Sequence, residues 1–220
     1  MCGRYTPLTE NEIIKVRSII KDVAMDLSRE EFCTCDESYN EVVPTNRVLI
    51  VTSSGGELSF EYAQFGFEKW DGKGVIINAR SETAHEKPMF KSHLKTGRCV
   101  VPASGYYEWK QPTDGKKKKI KYLIKDERGT LLFMAGLWRE GNNGREFVII
   151  TKEPVGEVVD IHERMPVILR ADQLESWLRG AMPIEMLASM DFSCVGEPLE
   201  EPVDFSQESS DFVQMTLFDN

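Results

Sequence analysis

Long apolar runs, a secretory leader, a disulfide framework and a metal-ligand spacing are all missing from this 220-residue chain. No stretch reaches the roughly 20 apolar residues that span a bilayer, and the start lacks the basic, apolar and small-residue regions of a signal peptide. A cytosolic location with no membrane partner is therefore expected. The five cysteines (Cys2, Cys33, Cys35, Cys99, Cys194) are odd in number and irregularly spaced, which suits a reducing compartment. Cys33-Thr34-Cys35 has no second pair at finger spacing, and the three histidines (His85, His93, His162) are scattered. Neither a metal nor any other cofactor is expected. Internal repeats are also lacking, and the length suits one core, as one domain or a domain plus tail.

Positive charge is scarce overall, with a net charge of −9, which argues against a nucleic-acid partner until its distribution is considered. Residues 196–220 hold seven acids (Glu197, Glu200, Glu201, Asp204, Glu208, Asp211, Asp219) and no Lys or Arg. Without them the body carries 29 acids against 27 bases, close to −2. A basic groove is compatible with that balance, because binding follows the local field and not the total. The chain thus divides into a body, residues 2–195, and an acidic tail, residues 196–220. A monomer is expected.

Thr9-Glu10-Asn11-Glu12 reads as a capping box, and Ile13, Val16, Ile20, Val23, Ala24 and Leu27 recur at helical spacing. That predicts a helix over about residues 10–28, followed by an irregular stretch to residue 46. From Val48 the texture becomes β: Val48–Thr52 and Leu58–Phe65 form a hairpin around Ser53-Ser54-Gly55-Gly56. Val75–Ile77, Arg98–Pro102, Tyr106–Lys110, Lys121–Asp126, Leu131–Trp138, Glu146–Thr151 and Val167–Leu169 read as further strands. A short helix is expected over Lys87–Lys95, stopped by Gly97; another opens at Asp172 with Glu175 in capping-box position; a last covers Pro183–Ser189. The lysine run Lys116–Lys119 reads as a solvated hairpin tip. About ten short strands with three or four helices describe an α+β domain on an antiparallel, barrel-like sheet with flanking helices.

Chemistry concentrates at the start, Met1-Cys2-Gly3-Arg4-Tyr5. If Met1 is trimmed, Cys2 carries a free α-amine beside its thiol. Such a 1,2-aminothiol can serve as a nucleophile with its own base, or condense with an aldehyde to a thiazolidine ring. Both groups ordinarily titrate near neutrality, at about 7.7–8.0 and 8.5, so modest shifts would activate either. Asn78 and Arg80 follow a buried strand, Glu108 lies between two aromatics, and His162 and Arg164 lie on a loop before a strand. Each also has a bland reading: a solvent-facing Glu108, a surface His162, an Arg80 paired with Glu82.

Four ordered blocks carry a resemblance. Met1-Cys2-Gly3-Arg4-Tyr5, Asn78-Ala79-Arg80-Ser81-Glu82-Thr83, Arg98-Cys99-Val100-Val101-Pro102-Ala103-Ser104-Gly105-Tyr106-Tyr107-Glu108-Trp109 and His162-Glu163-Arg164-Met165-Pro166 resemble the signature blocks of the SRAP family, SOS response-associated peptidase-like proteins. The similarity spans residues 2–169 and implies a single SRAP-like domain. The family is known for shielding abasic sites in single-stranded DNA through a covalent cross-link. The resemblance implies that Cys2 attacks the ring-opened aldehyde, that Asn78 positions its amine, and that Glu108 and His162 move protons. It implies that Arg4, Arg80 and Arg164 clamp phosphates, that Trp70 and Phe67 stack on bases, and that Thr151 lines the site. One departure stands out: Glu68 occupies a place where the family often has proline, which is expected to loosen that loop and to set an acid near the DNA path.

Chemistry agrees with the resemblance, because an aminothiol captures an aldehyde as a stable ring where a lysine gives a reversible imine. In the tail, Gln214-Met215-Thr216-Leu217-Phe218 resembles the short peptide by which bacterial repair proteins bind the sliding clamp, with Gln214, Leu217 and Phe218 as contacts. Rival readings are an N-terminal-nucleophile amidohydrolase, a cysteine peptidase acting on itself or on others, and a non-catalytic, clamp-tethered single-strand-binding module. The amidohydrolase lacks support, since the lone Asn-Gly, Asn143-Gly144, lies in a turn.

Overall fold

The computed structural model describes residues 2–23, 39–54, 57–112 and 119–199. It starts with β1 (Arg4–Tyr5) and α1 (Glu10–Val23), then the hairpin β2 (Arg47–Ser54) and β3 (Glu57–Phe65). A small ribbon, β4 (Phe67–Glu68) and β5 (Val75–Ile76), leads to β6 (Asn78–Arg80) and two single-turn helices, α2 (Pro88–Lys91) and α3 (His93–Thr96). Four longer strands follow: β7 (Arg98–Ala103), β8 (Tyr106–Lys110), β9 (Ile120–Asp126) and β10 (Leu132–Gly141). Then come β11 (Gly144–Lys152), β12 (Met165–Pro166), β13 (Ile168–Leu169), α4 (Leu174–Leu178), α5 (Glu185–Ala188) and β14 (Cys194–Pro198).

β11 hydrogen-bonds to both β3 and β10, so the order β11-β3-β2-β7-β10 closes into a five-stranded, barrel-like ring. The expected antiparallel sheet is interrupted where β11 runs parallel to β3 and to β6. A second, four-stranded antiparallel sheet, β1-β8-β9-β14, lies against the ring. The ring is covered on both faces. Val148 and Ile150 join the cluster under α1 and α4 with Val16, Ile20 and Trp177. Phe147 and Ile149 join the cluster beneath the second sheet with Cys2, Tyr5, Tyr106 and Ile124. Phe147-Val148-Ile149-Ile150 is therefore apolar at every position instead of alternating, each side chain contributing roughly 1.5–3 kcal/mol on burial.

Local signals act where the sequence places them. Glu12 Oε2 accepts from Thr9 N at 2.8 Å, and Thr9 Oγ1 accepts from Glu12 N at 3.3 Å, closing the capping box. The expected extension of α1 beyond Val23 lies outside the described residues. The helix expected over Lys87–Lys95 is split at Ser92 into α2 and α3. At α4 the box is shifted: Gln173 Oε1 accepts from Arg170 N at 2.9 Å, so a 3₁₀ turn at Ala171–Gln173 precedes the helix. The body also runs further than Val195, because β14 pairs with β9 through Pro198. No helix among the described residues is long and apolar enough to cross a membrane.

Candidate active site

The amino-terminal segment enters between the two sheets. Arg4 and Tyr5 pair with Tyr107 and Tyr106 of β8, and Tyr5 also bridges Val42. This carries Cys2 into the apolar gap, fully buried. Its carbonyl accepts from Asn78 Nδ2 at 3.1 Å, and the same nitrogen donates to Ile77 O at 2.9 Å. β6 holds Asn78 in parallel register with Ile149, which fixes the amide beside Cys2. Asn78 Oδ1 is buried without a hydrogen-bond partner among the described residues, leaving an acceptor for a ligand in the site.

Alternation along β8 turns Tyr106 and Glu108 toward this gap and Tyr107 and Trp109 away from it. Glu108 is 2% exposed. Burial pushes its carboxyl up to about 7, against the pull of the positively charged amino terminus. His162 Nε2 lies 3.7 Å from Glu108 Oε2. Arg164 N donates to His162 Nδ1 at 3.1 Å and Arg164 O lies 3.2 Å from the same nitrogen, so the backbone holds the ring with Nε2 facing Glu108. Burial, with the amino-terminal charge behind it, lowers the imidazole's basicity, so His162 is neutral near pH 7. The Cys2 thiol is driven far above its ordinary value, by burial first and by Glu108 second. The expected easy thiolate is thereby corrected: this thiol keeps its proton until a base takes it. Thr151, on the same face as Ile149, is buried, and its Oγ1 has no hydrogen-bond partner among the described residues.

The residues expected to touch a ligand strand divide. Trp70 stands 96% exposed at the tip of the β4–β5 ribbon. Phe67 is fully buried against Phe90 and under Arg139, so it cannot stack on a base; the chain turns at Gly66, so that Phe65 enters one core cluster and Phe67 the other. Gly66 has φ +109°, and a Cβ there would sit 2.7 Å from the Val75 side chain. Arg80 is exposed and has no ion pair among the described residues. The bland alternative of an Arg80–Glu82 pair does not form: Glu82 takes the fork of Arg164 at 3.0 and 2.8 Å. Arg164 also donates to Thr151 O at 2.8 Å. That guanidinium is a buried tie between the His162 loop, β11 and the Glu82 turn, not an open phosphate clamp. Arg4 lies over Trp109, 5.5 Å from the ring centre, and reaches Glu41 at 3.5 Å. Gln214, Leu217, Phe218, Lys116–Lys118, Cys33 and Cys35 lie outside the described residues.

The expected loosening at Glu68 does not occur. Glu146 Oε2 accepts from Glu68 N at 3.1 Å and from Arg139 Nε at 2.8 Å, while Arg139 donates to Glu68 O at 2.7 Å. A proline at 68 would have no N–H to give. This tie has no local signature in the sequence, although Gly141–Gly144 is a hairpin turn whose register sets Arg139 opposite Glu146.

Residues 1–197 match the family described as SOS response associated peptidase (SRAP). The chain belongs to the SRAP family. Among its relatives, Abasic site processing protein YoqW of Bacillus subtilis is 34% identical over 191 residues, covering 81% of this chain and 80% of that protein. Abasic site processing protein YedK of Escherichia coli is 30% identical over 190 residues, with 81% and 80% covered. A phage-related protein of Bordetella bronchiseptica has a solved structure with a TM-score of 0.70 at 25% identity, covering 91% of this chain and 95% of that one. In this SRAP protein the four sequence blocks converge: Cys2 bonds to Asn78, Glu108 adds its charge to the environment of Cys2, and His162 faces Glu108.

Proposed function

We propose that this SRAP protein senses abasic sites in single-stranded DNA and seals them as a thiazolidine on Cys2. The observation that supports it most is a carboxyl poised at about 7 beside a buried, protonated thiol. The named abasic-site-processing relatives support the substrate. With Met1 removed, the Cys2 amine is the first nucleophile, since the thiol holds its proton. Glu108 in its acid form protonates the sugar ring oxygen as the C1′–O4′ bond of the abasic hemiacetal breaks and takes the proton of the anomeric hydroxyl in return, giving the aldehyde, while His162 Nε2 holds the developing sugar hydroxyl by a hydrogen bond. The amine adds to the aldehyde carbon, and Glu108 in its acid form protonates the departing hydroxyl, which leaves as water and yields the imine. The Glu108 carboxylate then takes the Cys2 thiol proton, and the sulfur closes the ring on the imine carbon. Aldehyde and aminothiol become thiazolidine and one water, with Glu108 reprotonated for the reverse path. Asn78 orients the Cys2 backbone, and Asn78 Oδ1 and Thr151 Oγ1 offer hydrogen bonds to the sugar. Arg80 and Arg4 meet phosphates, and Trp70 stacks on a base, worth about 1–3 kcal/mol.

A cysteine-peptidase reading calls for a thiolate, and burial of Cys2 weighs against it. The protein acts as a monomer in the cytoplasm, and Gln214, Leu217 and Phe218 tether it to the sliding clamp; unchanged clamp pull-down after deletion of residues 214–218 would remove that part. The covalent reading is tested by mixing the protein with single-stranded DNA bearing one abasic site, beside undamaged DNA. An adduct stable to heat and SDS, restricted to the abasic strand and lost in Cys2→Ala, is expected. An equal denaturation-resistant adduct in Cys2→Ala would place the bond on another residue, and native binding to the strand that is lost on denaturation in wild type and Cys2→Ala alike would favour a non-covalent binding module.

A further inference from the structure

Lys121 is 8% exposed, and its ammonium sits 4.2 Å over the Tyr107 ring and 5.7 Å over the Trp109 ring. Strand register explains the grouping. Arg4 pairs with Tyr107 and Lys121 with Trp109, so both cations and both rings share the face of the four-stranded sheet turned away from Glu108. One carboxylate serves both cations: Glu41 Oε2 reaches Arg4 Nη1 at 3.5 Å, and Glu41 Oε1 contacts Lys121 Nζ. Glu41 belongs to neither sheet. Its segment is joined to β1 through the Tyr5–Val42 bridge, Val42 N donating to Tyr5 O at 2.8 Å.

An anion is required at this place, because a nearly buried ammonium stripped of its partner is strongly unfavourable. The form of that anion is set by the cations: a guanidinium and an ammonium side by side, fixed over aromatic faces, present donors to two oxygens of one group. A carboxylate meets that requirement, and so do the two non-bridging oxygens of a phosphodiester. We propose that Arg4 and Lys121 form a seat for a backbone phosphate of the bound strand, and that Glu41 fills this seat when no strand is present. The inference rests on the single-stranded-DNA reading above and adds to it Lys121 as a phosphate contact and Glu41 as a built-in competitor. Strand binding is then an exchange of anions: the phosphate enters and Glu41 moves to solvent on its own segment.

The test uses the full chain and an undamaged single-stranded oligonucleotide, with equilibrium binding followed by fluorescence anisotropy over a salt series. Glu41→Gln keeps the shape and removes the competing charge; it is expected to bind about tenfold more tightly than wild type. Lys121→Gln is expected to bind more weakly and to flatten the slope of log K against log salt by about 0.7, one phosphate contact on a single strand. The double variant leaves no unpaired ammonium, is expected to melt as wild type does, and should lose the gain of Glu41→Gln. Weaker or unchanged binding in Glu41→Gln, or retained gain in the double variant, would overturn the proposal. Inorganic phosphate, matched in ionic strength with chloride, separates free phosphate from a strand. Protection of wild-type melting by phosphate that Lys121→Gln abolishes would assign the seat to the free ion and overturn the strand proposal. Tighter binding in Glu41→Gln without any abasic adduct would sink the covalent reading and leave this one standing; an adduct without tighter binding does the reverse.

Discussion

Glu108 and Glu146 are both strand carboxylates nearly sealed from water, at 2% and 3% exposure, and they are held in opposite ways. Glu146 is gripped by Arg139 at 2.8 Å and by the Glu68 N–H at 3.1 Å, and through them it pins the ribbon that ends in Trp70. Glu108 faces a neutral imidazole at 3.7 Å and feels the positively charged amino terminus, and burial outweighs that charge and leaves its proton undecided near pH 7. The same contrast separates Arg164, whose fork is filled by Glu82, from Arg80, which is exposed and has no ion pair among the described residues. A charge tied to a permanent counter-charge builds the frame; a charge left adjustable is available to chemistry or to a ligand.

Exchanging the two carboxylates for amides sharpens that contrast most. Glu108→Gln is expected to slow adduct formation by about 10²–10⁴-fold, with melting little changed below about pH 4.5. Glu146→Gln should do the opposite: it leaves Arg139 with a neutral partner and loses up to roughly 3–5 kcal/mol of stability, about 10 °C or more in Tm, while adduct chemistry on the folded fraction persists. Comparable rate losses in both variants would break the division.

A second test uses pH. The Glu108 carboxyl is raised from 4.5 to about 7, so the folded state binds its proton more tightly than the unfolded chain does. Its contribution is fully present below about 4.5, declines as pH rises to about 7, and is flat above that. His162 acts with the opposite sign, since its lowered basicity makes stability fall as pH drops through the ordinary imidazole range. The difference between wild type and Glu108→Gln in urea melts across pH 4–8 isolates the carboxyl. Wild type should lose stability relative to the variant as pH rises toward 7, and parallel curves would contradict the assignment.

Smaller effects concern the ribbon. Phe67→Ala is expected to destabilise by about 3–5 kcal/mol. Trp70→Ala should leave melting unchanged and weaken single-strand binding by about 1–3 kcal/mol. A Trp70→Ala variant that loses stability would place that ring in the frame. The smallest expected change is in Arg80→Gln, a fall of about 0.7 in salt slope with no change in melting.

What the sequence made legible was local or block-like. Thr9 and Glu12 announce α1, hairpin texture announces β2–β3 and β10–β11, and the ordered blocks name Cys2, Asn78, Glu108 and His162, which lie together in the structure. Closure of the ring was not legible, because Gln64 and Phe65 meet Glu146 and Phe147 across most of the body with no local signal for parallel pairing. Phe67 misled because the resemblance alone assigned it to a base; the chain turns at Gly66, so Phe65 enters one core cluster and Phe67 the other. β14 reads as tail because Glu197 and Pro198 are ordinary tail residues, yet an edge strand tolerates both. Charge partners were the least legible: Glu82 chose Arg164 over its neighbour Arg80 because the fold brings residues 82 positions apart together.

The most direct measurement is the intact mass of the abasic adduct after treatment with a thiol alkylating agent. A thiazolidine on Cys2 predicts protein without Met1 plus DNA less one water, with the Cys2 sulfur refusing the alkylating label and the adduct surviving borohydride unreduced. An adduct of the same mass that takes the label at Cys2 and is reduced by borohydride would be an open imine, and ring closure by the thiol with Glu108 as its base would be wrong.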